Sequence, residues 1–261
     1  LLKIKSGIIV ITKTDIAEED WVKLVSEEVR SFVKGTFLEN AEIISVSSKT
    51  GENIELLKEK IHEVASGIQP KLTKGLFRLP IDRVFTLKGF GTVVTGTAIS
   101  GSVSVDEAVD ILPSAISTKI RGLHSHGKAI KTAYAGQRVA INVSGVEKES
   151  LQRGDVVVLP GRFSPTKIVD AKIELLKDSP VLKNKSLVHF HSGTAEIIAR
   201  IILYDREELK PGEGCFCQMR LREPVISMSG DRYIIRRFSH VETIGGGEIL
   251  DAHPSKRKKS E

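Results

Sequence analysis

Hydrophobic residues along the chain change period near residue 70. Gly7-Ile8-Ile9-Val10-Ile11-Thr12 is a short β-branched run, the pattern of a buried parallel strand. Trp21, Leu24, Val25, Val29, Phe32 and Val33 then recur at helical spacing. Acidic Glu18, Glu19 and Asp20 open that helix and Gly35 closes it. Glu42-Ile43-Ile44-Ser45-Val46 predicts a second buried strand, and Ile54, Leu57, Ile61 and Val64 a second amphipathic helix ended by Gly67. The order β-α-β-α predicts a parallel sheet with crossover helices. Two strands are too few for a doubly wound sheet, so the chain is expected to begin partway through such a domain.

Beyond Gln69–Gly75, which has the composition of a linker, the helical period disappears. Short β-rich runs follow at barrel-like spacing, among them Val93-Val94, Val109–Leu112, Val139–Val143 and Val156–Leu159. Lys88-Gly89, Ser100-Gly101, Ala135-Gly136 and Arg153-Gly154-Asp155 punctuate them as turns. After Phe163-Ser164-Pro165 a second set runs through Ile173–Leu175, Val188–His191, Ala195–Leu203, Cys215–Leu221 and Tyr233–Ile235. The expected organisation is an α/β piece over residues 1–68, a linker over 69–75 and antiparallel barrels over 76–165 and 166–250. A basic tail over 251–261, carrying Lys256-Arg257-Lys258-Lys259, is expected to be disordered.

Charge divides at the same place. Residues 1–70 carry 9 Lys/Arg against 12 Asp/Glu, a net −3, and residues 71–261 carry 30 against 21, a net +9. The basic portion favours a polyanionic partner. No apolar stretch is long enough to span a bilayer as a helix, and no membrane partner is expected. Two cysteines and the lack of a basic-then-apolar leader predict a reducing, cytoplasmic setting.

Two loops carry the sharpest chemical signal. Thr12-Lys13-Thr14-Asp15 follows the first strand, and Ser47-Ser48-Lys49-Thr50-Gly51 the second. Both fall at the carboxyl ends of parallel strands, the edge where open α/β sheets bind ligands. A carboxylate such as Asp15 accepts two parallel hydrogen bonds from a planar N–H/NH₂ pair, which guanine presents and adenine does not. The long stems of Lys13 and Lys49 can cover the faces of a flat base. Taken singly, each loop is also compatible with an ordinary βα connection.

Three other constellations are weaker. Gly122-Leu-His-Ser-His-Gly127-Lys128-Ala129 is the nearest approach to a phosphate-binding Gly-x-x-x-x-Gly-Lys-Ser/Thr, but Ala129 cannot ligate magnesium and no helical pattern follows. His189-Phe-His191 and Cys215-Phe-Cys217 place like residues on one strand face, and would bind zinc only if their strands were adjacent. Usual zinc spacings are missing, so no metal site is assigned. His124 and His126 are placed either on an ordinary barrel surface or beside a ligand pocket.

The two loops resemble the guanine-reading end of translational GTPases. Lys13 and Asp15 match the family's Asn-Lys-x-Asp, and Ser47 and Lys49 its Ser-Ala-Lys, with Thr12 and Ser48 in place of the usual Asn and Ala. Leu79-Pro80-Ile81-Asp82-Arg83-Val84-Phe85, Gly91–Thr97, Arg121–His124 and Ala135–Ala140 look like the second domain of elongation factors. Asp82-Arg83 combined with Arg138, and the Thr243-Ile244-Gly245-Gly246-Gly247-Glu248 stretch, resemble SelB-type selenocysteine-specific elongation factors. The resemblance runs from Gly7 to about Pro254.

The resemblance implies a GTPase that binds GTP/GDP, delivers selenocysteinyl-tRNA to the ribosome and acts as a monomer. Lys13, Asp15, Ser47, Ser48 and Lys49 would contact guanine, and Asp82, Arg83 and Arg138 the selenocysteinyl group. The P-loop, Mg²⁺ ligands and catalytic residues would lie before Leu1. These 261 residues hold no catalytic group of their own and are expected to be inactive alone. Recognition of an mRNA hairpin would belong to winged-helix modules absent from this sequence. A selenol is ionised at neutral pH and a seryl hydroxyl is not, so two guanidiniums can pair with a selenolate. Serine in the same pocket would leave desolvated arginines unpaired, at a cost on the order of 3 kcal/mol. A non-enzymatic two-barrel RNA-binding module, or a general elongation or initiator-tRNA-carrying GTPase, is the alternative.

Overall fold

The computed structural model describes residues 1–69, 73, 75–239 and 242–256. Most of the linker, Pro70–Leu72 and Lys74, and the tail residues Arg257–Glu261 lie outside them. The chain divides into a unit of residues 3–70 and a unit of residues 71–261 joined by Leu1–Leu2.

In the first unit β1 (Ile9–Ile11) leads through a 3₁₀ turn (Thr14–Ile16) to α1 (Glu19–Val33), then to β2 (Ile43–Ser45) and α2 (Ile54–Ser66). The strands pair in parallel, Ile9 with Ile43 and Ile11 with Ser45. Helix α1 has Glu19 and Asp20 in its first turn, and Gly35 beyond its end takes the left-handed φ of 76°. The elements expected from the hydrophobic period form, but their apolar faces stay open. Trp21, Leu24, Val25 and Phe32 on α1 and Ile61 on α2 are exposed, and Val33 is the buried residue of α1. A two-stranded sheet offers too little area to cover two helices.

The first barrel is built from β3 (Arg78–Leu87), β4 (Gly91–Thr97), β5 (Ser102–Ser104), β6 (Ala108–Leu112), β7 (Ile116–Ser125), β8 (Lys128–Ile130), β9 (Thr132–Tyr134), β10 (Arg138–Val143) and β11 (Val156–Val158). The sheet runs β10-β4-β3-β11-β6-β7, and pairing of β7 with β10 closes it. Strand β8 forms a hairpin on β7, and β5 and β9 pair as a separate ribbon. Phe77, Leu79, Ile81, Ile111, Ile120, Leu123 and Ile141 fill the interior. The Walker-like stretch is the β7–β8 hairpin, with His126 and Gly127 both at positive φ in its two-residue turn.

The second barrel contains β12 (Thr166–Leu175), β13 (Leu182–Lys183), β14 (Leu187–Ser192), β15 (Ala195–Leu203), β16 (Glu208–Leu209), β17 (Gly214–Val225), β18 (Arg232–Arg237) and β19 (Thr243–Asp251). Six of these close in the order β12-β17-β15-β14-β18-β19. Phe190 and Tyr233 stack at its centre with ring centroids 5.2 Å apart, and the Tyr233 hydroxyl donates to the Lys172 carbonyl at 2.9 Å. The Gly245-Gly246-Gly247 run is a steric requirement. A Cβ on any of the three would collide with a backbone carbonyl, of Glu174, Tyr233 and Lys172 respectively. Ala252 is buried, and the Ser255 carbonyl accepts from Gln218 at 3.1 Å, so the chain stays against this barrel through Ser255.

The barrels meet through Arg78 of the first and Asp231 of the second, a bidentate pair at 2.6 and 2.8 Å. Val156, Val158 and Ile226 form a small apolar cluster spanning the two. Gly154 and Gly193, both at positive φ, abut Ala195 and Pro80 of the opposite barrel.

Candidate functional sites

The first candidate site lies at the carboxyl ends of β1 and β2. The Val46 N–H donates to the Ile11 carbonyl at 2.8 Å, and the Thr14 N–H to the Val46 carbonyl at 3.3 Å, so the two loops leave the sheet side by side. Lys13 adopts the left-handed conformation (φ 62°), which turns the chain into the 3₁₀ turn carrying Asp15. Ser47 is fully buried. Its hydroxyl donates to Asp15 Oδ1 at 2.7 Å and accepts from the Thr50 N–H at 3.2 Å. Asp15 Oδ2 faces the Lys49 ammonium at 4.0 Å. The Asp15 side chain is only 12% exposed, whereas that of Lys49 is 82% exposed and free to lie across a flat ring. The expected members Lys13, Asp15, Ser47 and Lys49 are thus brought to one edge, with Ser48 between the last two. Thr12 and Ser48 do not leave the loops untied, because Ser47 bridges them.

The second candidate site is on the outer face of the first barrel, where β3, β4, β10 and β7 adjoin. Between Ile81, paired with Gly96, and Arg83, paired with Thr95, the register slips by one residue, and Asp82 occupies that bulge. The bulge turns the Asp82 carboxylate toward β10. It receives the Thr95 hydroxyl at Oδ1 (2.8 Å) and both Nη atoms of Arg138, Nη2 at 3.0 Å from Oδ1 and Nη1 on Oδ2. Arg138 opens β10 opposite Thr97, and its carbonyl accepts the Ser125 hydroxyl at 2.9 Å. The hydrogen bonds from Arg138 hold the Asp82 carboxyl below the usual carboxylate range against an opposing effect of burial, with Thr95 adding to the lowering. The same pairing raises the Arg138 guanidinium further. Arg83 is exposed and makes no hydrogen bond or ion pair among the described residues. His124, exposed, faces the same way from β7 opposite Ala140.

One expectation about this site changes. The arginines were expected to be desolvated, yet the Arg138 side chain is 50% exposed and Arg83 is exposed. In this form neither leaves a charge stranded in a dry pocket.

Residues 91–158 match the family model for elongation factor Tu domain 2, and residues 169–256 the model for the beta-barrel domain of the selenocysteine-specific elongation factor. A selenocysteine-specific elongation factor of Desulfomicrobium baculatum is 46% identical over 96% of this chain, and one of Methanocaldococcus jannaschii 34% identical over 94%. The chain belongs to the selenocysteine-specific elongation factor family. It spans 40% and 56% of the length of those two relatives. A crystal structure of the bacterial selenocysteine-specific elongation factor EF-Sec superposes with a TM-score of 0.85 at 28% identity, covering 99% of this chain and 42% of that one. The apo form of SelB from Methanococcus maripaludis gives 0.81 at 28% identity, over 95% of this chain and 59% of that one.

A third feature of this family member escaped sequence reasoning. Arg200 on β15 lies directly across from Arg220 on β17, with Leu187 on its other side and Arg222 two residues along. With Ile198, Phe238 and Lys256 they line a groove of about 430 Å³ that contains no carboxylate. Arg200, Arg222 and Lys256 make no ion pair among the described residues. Facing like charges destabilise a bare sheet, so the groove is suited to a polyanion. Its signal was spread over five segments, and only the net charge of residues 71–261 hinted at it.

The histidine and cysteine pairs do not meet. Strand β15 lies between β14 and β17. His189 instead pairs with Glu196 at 3.1 Å and stacks on Phe238, and Cys217 is inside the barrel, where burial pushes its thiol well up. Among the described residues no group of three or more His, Cys, Asp or Glu is placed to hold a metal. No described helix is long and apolar enough to cross a membrane.

Proposed function

We propose that this chain is part of a GTP-dependent translation factor that carries selenocysteinyl-tRNA to the ribosome. Asp82, Arg83 and Arg138 are assigned to the selenocysteinyl group, and Lys13, Asp15, Ser47, Ser48 and Lys49 to guanine. The groove around Arg200, Arg220, Arg222 and Lys256 is assigned to tRNA phosphates. The observation carrying the reading is the presence of one carboxylate and two guanidiniums, from a β-bulge on β3 and from β10 on the far side of β4, on one exposed barrel face. An α-ammonium group suits the carboxylate and a selenolate suits the guanidiniums.

The described residues fit the base of a guanine nucleotide. Asp15 is held at one oxygen by Ser47 and retains lone pairs for an N–H/NH₂ edge. Among the described residues the nearest glycine-rich approach to a phosphate loop is the β7–β8 hairpin, and residues 89–96 belong to the β3–β4 hairpin, so neither is shaped for the nucleotide's phosphates. Bound GTP would supply the free energy difference between delivering and releasing states, and Mg²⁺ would accompany its phosphates. A cytoplasmic location and monomeric action follow from this role.

Nitrocellulose filter binding with the full-length protein tests the proposal. In the presence of a non-hydrolysable GTP analogue, selenocysteinyl-tRNA is expected to bind at least tenfold more tightly than seryl-tRNA of the same sequence. Equal affinity for the two would overturn it.

A further inference from the structure

We infer that the Asp82–Arg138 ion pair is an internal stand-in for the cargo, which the incoming aminoacyl group must replace. This inference rests on the cargo assignment above and adds how the site discriminates.

The geometry sets the terms. Arg138 is already paired through both Nη atoms, and Asp82 is additionally fixed by the Thr95 hydroxyl. Arg83 is exposed and has no partner among the described residues. The closed cluster therefore holds one carboxylate and two guanidiniums, a net +1, with a single guanidinium available. Arg138 can turn its paired Nη edge to a new anion only when it lets go of Asp82. The pair is partly solvated, with side chains 50% and 23% exposed, so an entering group can exchange with it without crossing a dry barrier.

A selenocysteinyl ester carries what the exchange requires. Its α-ammonium group takes the place of the guanidinium on Asp82, and its selenolate takes the place of the carboxylate on Arg138, with Arg83 as a second donor. Every charge that was paired is paired again, and Arg83 gains a partner. A seryl ester brings the ammonium group without the anion. Opening the pair for it leaves Arg138 unmatched, and leaving it shut denies the ammonium group its site. Discrimination then comes from the resident pair as well as from direct contact. The Thr95 hydroxyl keeps Asp82 Oδ1 oriented during the exchange, and the anchoring of the Arg138 carbonyl by Ser125 keeps the base of the side chain in place.

The test measures both tRNAs against Arg83→Ala and Arg138→Gln in the full-length protein, with thermal melting to verify folding and Arg138→Lys as a second variant. For Arg138→Gln the selenocysteinyl-tRNA affinity should fall at least tenfold while the seryl-tRNA affinity rises several-fold, because Asp82 is released to the ammonium group. Arg83→Ala should weaken selenocysteinyl-tRNA alone. Arg138→Lys, which cannot make the bidentate pair, should shift both affinities in the same directions as Arg138→Gln by smaller factors. Unchanged or weaker seryl-tRNA binding in both Arg138 variants would overturn the exchange while leaving the cargo site intact. Unchanged selenocysteinyl-tRNA binding in all three variants would overturn the cargo assignment itself.

Discussion

Ser47 donates its hydroxyl to Asp15 Oδ1 at 2.7 Å, across 32 residues of sequence, and so fixes the loop after β1 against the loop after β2. The contact is buried on the Ser47 side, and no other described side chain holds that carboxylate at hydrogen-bond distance. Ser47→Ala removes a hydrogen bond to a charged acceptor, worth about 1.5–3 kcal/mol. Guanine-nucleotide affinity of the full-length protein should fall by at least about tenfold in isothermal titration. Preference for guanine over xanthine nucleotides should persist, because Asp15 still reads the base edge. Asp15→Asn, in contrast, should invert that preference.

The glycine run in β19 makes a prediction about stability. A Cβ at Gly247 would overlap the Lys172 carbonyl, which also accepts the Tyr233 hydroxyl. Backbone cannot yield as a side-chain tip can, so Gly247→Ala should destabilise the second barrel by about 3 kcal/mol. Gly122 in β7 supplies the comparison, since a Cβ there meets nothing within 4 Å and its φ is not left-handed. Gly122→Ala should be neutral or stabilise by up to about 1 kcal/mol. Thermal unfolding of the two variants side by side tests the contrast, and a similar melting temperature for both would refute the steric explanation.

How far these sites were legible in the sequence depended on how local their geometry is. Asp15 and Ser47 each follow a β-branched strand directly, so parallel pairing of Ile9 with Ile43 was enough to bring their loops together. The β-rich runs at Val109 and Val139 marked barrel strands because inward positions alternate, and Val156–Val158 did so as a β-branched run buried at all three positions. That Asp82 would be fully engaged by Arg138 was hidden, because it depends on a one-residue bulge that no periodicity marks. The basic groove was hidden more deeply. Leu187, Arg200, Arg222 and Lys256 become neighbours only through the register of three strands and the return of the chain to Gln218. The apolar stripes of α1 and α2 had the right period for burial, but period says nothing about whether a sheet is wide enough to cover them.

The groove also makes a quantitative prediction. If Arg200, Arg222 and Lys256 each neutralise one phosphate, tRNA affinity falls with salt in proportion to the number of counterions released. Arg222→Ala should weaken binding of selenocysteinyl- and seryl-tRNA by the same factor. It should also reduce the slope of log K against log salt concentration by about one. Arg200→Ala should do the same and, by removing one of two facing guanidiniums on β15 and β17, should leave the barrel at least as stable. An unchanged salt slope in both variants would remove the groove from the tRNA interface.

The Asp82–Arg138 pair couples the stability of the first barrel to pH. Arg138 holds the Asp82 carboxyl below its ordinary range, so the folded-state pKa is depressed relative to the unfolded chain. Folding then gains from this group at any pH above the ordinary carboxyl range, and the gain is lost as pH falls through the depressed folded value. Stability of the wild type should therefore drop more steeply on acidification below about pH 4 than that of Arg138→Gln, in which Asp82 titrates nearer its ordinary pKa. Because both side chains are partly exposed, the difference should shrink in high salt. Thermal melting at a series of pH values from 7 downward, at low and high salt, measures it. Parallel pH profiles for the two proteins would mean that the pair stores no linkage energy.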